Sequence, residues 1–406
     1  MGVDGTGDGA IVITGVAALT AAGVGIAAAR DALRAGRPLW AAPAPVAPGA
    51  TAPAPVALEP RAANVTARVA ACGCDPAVIL GPTGLRGLDR VTRLMLACAR
   101  LALDAAGGEP LAPAGLAVVA ATASAGLGGL YDFFLDALAQ GLRFADPGRF
   151  PNVMINTAAS HVAIRGGARA ACVTLAADGT AGPDACAYGA GLLAGGRADA
   201  VLVVAAEEVT APLVLAAWPG RRGAVPPLMD GAAALLLERA PDAARAGRRP
   251  LAAVAGYGSA SPVGRRMVGR RMARGACLDA ARRAAPGREL PPLVFVPWGS
   301  RARGRIAGSG GGNGGGAGGG GGAGGGDWRH AAATPAGLWA RRRPAPMIVA
   351  VNEVFGDGLA ATSLLAVCLA ADHCARRGSG ARALVHACGR LGQSSALLCA
   401  GLAAGR

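Results

Sequence analysis

The chain has no lysine: all 40 of its basic side chains are arginine. That absence excludes a Walker-type phosphate loop, whose Lys reaches the nucleotide phosphates. Aromatic residues make up only 3%, too few to build stacking platforms for single-stranded nucleic acid. Zinc-finger spacing and a basic heptad region are also missing. The net charge of +15 therefore does not point to a nucleic-acid partner. Arginine without lysine fits a GC-rich coding sequence, and a basic surface serves equally well to attract an acidic protein. No uncharged apolar run reaches about 18 residues, so no membrane span is expected. Met1 to Asp8 carries acids where an export signal has basic charge, and a cytoplasmic location is expected.

Cysteine is present at ten positions, several of them inside apolar stretches such as Cys98 in LMLACARLAL and Cys368 in SLLAVCLAA. These read as small core residues in a reducing compartment. Cys72 and Cys74 form C-x-C, and no second pair stands at zinc spacing, so no metal site is expected. No cofactor is expected either.

With 406 residues, 52% of them hydrophobic and dominated by Ala, the chain can bury a large core built from small side chains. Short apolar runs predict strands at Ile11–Val16, Leu116–Ala121, Ala171–Ala176, Ala200–Ala205, Met347–Val351 and Ala383–Ala387. Helical spacing predicts helices over Ile26–Ala35, Asp89–Ala106, Pro183–Leu193 and about Leu359–His373. Strands alternating with helices argue for a mainly parallel α/β architecture. A Pro- and Ala-rich excursion spans 38–60. The hydrophobic pattern restarts at Leu251, dividing the chain into halves 1–245 and 251–406. Within the second half, 308–326 is almost pure Gly and is expected to be a flexible loop.

Four segments, in order, resemble the β-ketoacyl-acyl-carrier-protein synthases of the thiolase superfamily: IVITGVAALTAAGVGIAAARDALRAGRP, LDRVTRLMLACARLALDAAG, the run PNVMINTAASHVAIRGG through GRADAVLVVAAEE, and VNEVFGDGLAATSLLAV with RALVHACGRLGQSSALLCAG. The resemblance implies a duplicated, five-layered αβαβα thiolase fold, dimeric through the central strand of the nucleophile half. It also implies a site, and there this chain departs from the family. Ketosynthase chemistry needs a thiolate at a helix amino terminus and two imidazoles. The family's nucleophile elbow corresponds to Ala177–Gly182, which puts Gly179 at the nucleophile and Asp178 beside it. The first His position falls on Trp298 and the second on Asp357. Arg390 replaces an aromatic in the glycine-rich loop near the carboxyl terminus. No catalytic residue of the triad remains, and Asp178, Gly179, Asp357 and Arg390 are left as the pocket candidates.

Asp178 and Asp357 are expected to approach one another, either as a working carboxylate pair or, more simply, through drift at a site that no longer reacts. His161 matches a structural family histidine. His386 and Cys388, two apart on a strand, share a face, although Cys388 matches a loop-entry residue and not the elbow. Three functions follow: a chain-length-factor-like partner of an intact ketosynthase paralogue that serves an acyl carrier protein, an enzyme with altered decarboxylase or acyl-transfer chemistry, and a decaying homologue that only binds carrier protein. Well-known chain length factors place Gln where this chain has Gly179.

Overall fold

The computed structural model describes residues 9–42, 44–45, 65–107, 113–217, 223–261, 270–285, 291–297 and 345–402. Trp298, the Gly-rich 308–326 segment and most of the 38–60 excursion lie outside the described residues.

Five strands come from the first half of the chain: β1 (Ile11–Thr20), β2 (Leu116–Thr122), β3 (Cys172–Ala176), β4 (Ala200–Glu207) and β5 (Gly231–Arg239). Five come from the second: β6 (Ala252–Ala260), β7 (Leu293–Val296), β8 (Met347–Ala350), β9 (Arg382–Cys388) and β10 (Ser394–Ala400). Their spatial order is β8-β7-β9-β10-β6-β1-β5-β4-β2-β3. The halves therefore repeat one order as mirror images and meet where β1 pairs antiparallel with β6, Val12 opposite Ala253.

The sheet is mainly parallel in strand direction within each half, as expected, with one reversed strand in each. β2 runs parallel to β3 and β4, and β7 parallel to β8 and β9. In each half, however, the fifth strand lies antiparallel between the first and the fourth. Strand β10 follows β9 after a short turn, a connection that suits only an antiparallel neighbour.

Strand composition follows from burial on both faces. In β4, Val201, Val203 and Ala205 face one apolar cluster, while Ala200, Leu202, Val204 and Ala206 face another. Period-2 alternation is hidden in such a strand because both faces are dry, so it reads as one apolar run. The first cluster lies between the two half-sheets. It holds the helices Ala181–Ala194 and Ala360–Arg377 together with Leu293, Phe295, Val385 and Leu397 of the second half. The second cluster packs helices Arg90–Ala105 and Thr157–Arg165 on the outside of the first half-sheet, and a third packs Arg270–Ala284 on the outside of the other. Helix, sheet, helix, sheet, helix: the fold is the five-layered αβαβα architecture that the resemblance implies.

Local signals set the first outer helix of the first half. Asp89 caps Arg90–Ala105 by accepting from the Thr92 amide at 2.9 Å, and Val91, Leu94, Met95, Cys98 and Ala102 bury one face. Between the half-sheets the two inner helices cross at Gly182. A Cβ there would stand 2.4 Å from the Leu364 nitrogen, so only glycine permits this approach.

Candidate functional site

Strand β3 leads into Ala177 and the turn 178–180, and the inner helix starts at Ala181. This is a strand–turn–helix elbow of the kind that presents a nucleophile at a helix amino terminus. Here the position holds Gly179, and the space where a side chain would stand is taken by backbone. A Cβ on Gly179 would lie 2.5 Å from the carbonyl oxygen of Cys388, at the end of β9.

The first-turn amides of the inner helix are also committed. The Ala181 N–H donates to the Asp178 carbonyl at 3.1 Å, the Gly182 N–H donates to Ser363 Oγ at 3.0 Å, and Pro183 has none. A helix amino terminus favours an anion through such unsatisfied donors. These have protein partners already.

Asp178 fixes what covers the elbow. Its Oδ2 accepts from the Arg390 backbone N–H at 2.8 Å, and its Oδ1 accepts from Gln393 Nε2 at 3.0 Å. The Arg390 guanidinium adds an ion pair to Asp178 at 3.6 Å. The 389–393 turn is thus tied down onto the elbow by one carboxylate. Asp357 sits part-buried on the neighbouring segment, where its Oδ1 accepts from the Leu359 N–H at 3.0 Å. Leu359, with φ 49°, is the one non-glycine residue with positive φ among the described residues. Asp357's own backbone bridges to Pro227 and Met229 at 2.7 and 3.1 Å. Burial pushes the Asp357 carboxyl up; the Leu359 amide and the Arg390 cation oppose this, and the Asp178 charge adds to it.

The structure therefore gathers Asp178, Gly179, Arg390 and Asp357 around one point, with Arg390 as the cation both carboxylates feel. Trp298 lies outside the described residues. His161 is part-buried on the 157–165 helix, away from the elbow.

Among the described cysteines, burial raises the thiols of Cys98, Cys186, Cys368 and Cys399. One thiol behaves differently. Cys277, on the outer helix of the second half, is held down to about 4 by a hydrogen bond from the Cys388 thiol, against burial and with help from His386. Cys388 is correspondingly pushed up, first by that same hydrogen bond. Cys277 is buried, 1% exposed. Sequence reasoning put His386 and Cys388 on one face but did not bring Cys277 to them, because a helix packed over the sheet leaves no linear spacing to read.

Among the described residues strand β3 ends the sheet, with β2 as its single neighbour there, and both Cys172 and Ala176 are exposed. This corrects the expected central strand of the nucleophile half: β4 is paired on both sides, and β3 is the open edge. The segment before it exposes Phe134, Leu138, Leu142, Phe144, Phe150 and Ile164, between 54% and 80% of each residue. Apolar exposure of this extent beside an unpaired strand edge marks an interaction surface. No helix among the described residues is long and apolar enough to cross a membrane.

A duplicated five-layer core with a strand–turn–helix elbow between its half-sheets defines a thiolase-type α/β protein. The family model "Beta-ketoacyl synthase, N-terminal domain" matches residues 8–227, more than half of the chain, and the chain belongs to that family. A search of curated proteins found no match. Among solved structures, "The ishigamide ketosynthase/chain length factor" is similar at 25% identity and TM-score 0.73, covering 97% of this chain and 100% of that one. A β-ketoacyl synthase from Burkholderia phymatum STM815 is similar in fold at 16% identity and TM-score 0.71, over 97% and 99%. A type II polyketide ketosynthase in complex with its acyl carrier protein is similar in fold at 13% identity and TM-score 0.67, also over 97% and 99%. The chain is a chain-length-factor-like member of the ketosynthase family.

Proposed function

We propose that the chain is a non-catalytic subunit that pairs with an active β-ketoacyl synthase and serves the acyl carrier protein of a polyketide, aryl-polyene or fatty-acid assembly line in the cytoplasm. One observation carries the reading: the nucleophile position is Gly179, and the Cys388 carbonyl oxygen fills the place of its side chain. Committed helix amides support it further, as does the second-imidazole region, where no imidazole stands and the Asp357 Oδ1 is taken by the Leu359 N–H. The open edge of β3 and the apolar segment before it support a partner. A solved structure whose title names both a ketosynthase and a chain length factor, 25% identical over nearly all of both chains, favours the pairing over a lone enzyme. In this reading residues 1–245 and 251–406 are the two thiolase-like halves, and the first carries the interface.

Co-expression with an intact ketosynthase paralogue, followed by size exclusion, tests the pairing. The expected result is a stable heterodimer that buries on the order of 2,000–5,000 Å². A chain that stays monomeric and ignores that paralogue contradicts it.

A further inference from the structure

We propose that Cys277, His386 and Cys388 form a binding site for a thiophilic metal ion, zinc above all, that ties the outer helix of the second half to its sheet.

The site is built from three elements. His386 and Cys388 are two apart on β9 and share its outer face with Leu384. On β10, Ser394 stands opposite Cys388 and Ala396 opposite His386. The 270–284 helix lies over this face and lowers Cys277 onto it, in a cluster with Ala280, Val294 and Leu398. The Cys277 and Cys388 sulfurs are 3.4 Å apart, and one donor atom from each of the three residues lies within 4.8 Å of the others. Tetrahedral zinc bonds sulfur at about 2.3 Å and imidazole nitrogen at about 2.0–2.1 Å, so its ligand atoms sit roughly 3.5–3.8 Å apart. The thiols here have only to part by a few tenths of an ångström, about the allowance such sites show, to reach that spacing.

Two further features suit an ion better than a chance contact. Ser394 Oγ stands 2.8 Å from His386 Nε2 and 3.6 Å from the Cys388 sulfur. It stands next to the fourth corner, which Ser394 or a water would complete. Cys277 and His386 are buried, at 1% and 0% exposure, among otherwise apolar neighbours. Two thiols and an imidazole are a soft donor set that selects zinc over magnesium or calcium. A closed site of this kind is structural. It anchors Cys388, whose carbonyl covers Gly179, and so holds the end of β9 in the position that seals the elbow.

The test uses the full chain, alone and as purified with a co-expressed ketosynthase, prepared without chelator and without a metal-binding tag. Elemental mass spectrometry should find about one zinc per chain, and Cys277→Ser and His386→Ala should each lower this at least fivefold. Cys172→Ser, at an exposed thiol on the opposite edge of the sheet, should leave it unchanged. Because the first two variants risk misfolding, cobalt exchanged into the wild-type chain provides a second readout: thiolate-to-cobalt charge transfer with intense tetrahedral bands. Zinc content near zero in a folded wild-type chain that also fails to take up cobalt overturns the proposal. So does zinc that persists in both variants, or an intact mass and peptide map showing Cys277 joined to Cys388 as a disulfide.

Discussion

The carbonyl oxygen of Cys388 stands where the side chain of residue 179 would be: a Cβ on Gly179 would come within 2.5 Å of it. Backbone, unlike a flexible side-chain tip, does not step aside. A side chain at 179 therefore has to displace the main chain of residue 388.

Gly179→Ala and Gly179→Cys should therefore destabilise the chain by similar amounts, on the order of 1–3 kcal/mol, as overpacked core positions do. Thermal or urea unfolding measures this. Gly179→Cys should also leave the chain unable to condense malonyl and acyl carrier-protein substrates by itself. A Gly179→Cys protein as stable as wild type would show that the 388–392 backbone is not fixed over the elbow.

Asp178 is the clasp on that backbone, through the Arg390 amide and Gln393. Asp178→Ala removes two hydrogen bonds to a charged acceptor, each about 1.5–3 kcal/mol in favourable cases and less where Arg390 is solvated. The expected outcome is faster amide exchange at 389–393, by tenfold or more, with little change in β3 or β4. Uniform loss of protection across the sheet would assign Asp178 to global stability instead.

Glu207, at the end of β4, is buried and accepts from Thr122, Ala123 and Ser124; burial pushes its carboxyl up to about 7 in spite of these donors. Glu208 is also pushed up to about 7, by burial and then by Asp230 and Asp89. A carboxyl whose folded value lies above its unfolded value contributes stability in full below about 4.5, and loses it as pH rises through about 7. Stability should fall between pH 5 and pH 8, by roughly 2–3 kcal/mol for each such group at most. Glu207→Gln, which keeps the acceptor for Ala123 and supplies a donor to Ser124, should remove about half of that decline in denaturant melts taken across the range.

Much of the fold was legible in the sequence because its signals are local. The Asp89 cap and the apolar face behind it mark the 90–105 helix to within a residue. Strands buried on both faces, such as β2 and β4, stand out as short apolar runs. Strand β5 was not singled out, nor was the 270–284 helix, whose arginines obscure its buried Cys277, Ala280 and Ala281. The antiparallel placement of each fifth strand was likewise hidden, because it depends on pairing between distant segments. At the site, the alignment of Gly179 with the family's nucleophile position and the grouping of Asp178, Asp357 and Arg390 around it could be read from motif alignment; the bonds from Asp178 to Arg390 and Gln393 could not. The sealing of Gly179 could not, since a main-chain carbonyl from the other half of the molecule carries no side-chain signature.

The most direct test of the account is intact-mass analysis of the co-expressed complex after loading with acyl carrier protein or with a cerulenin-type thiol inhibitor. All label should fall on the ketosynthase, and the mass of this chain should be unchanged. A stoichiometric acyl or inhibitor adduct on any cysteine of this chain would contradict its assignment as a non-catalytic subunit.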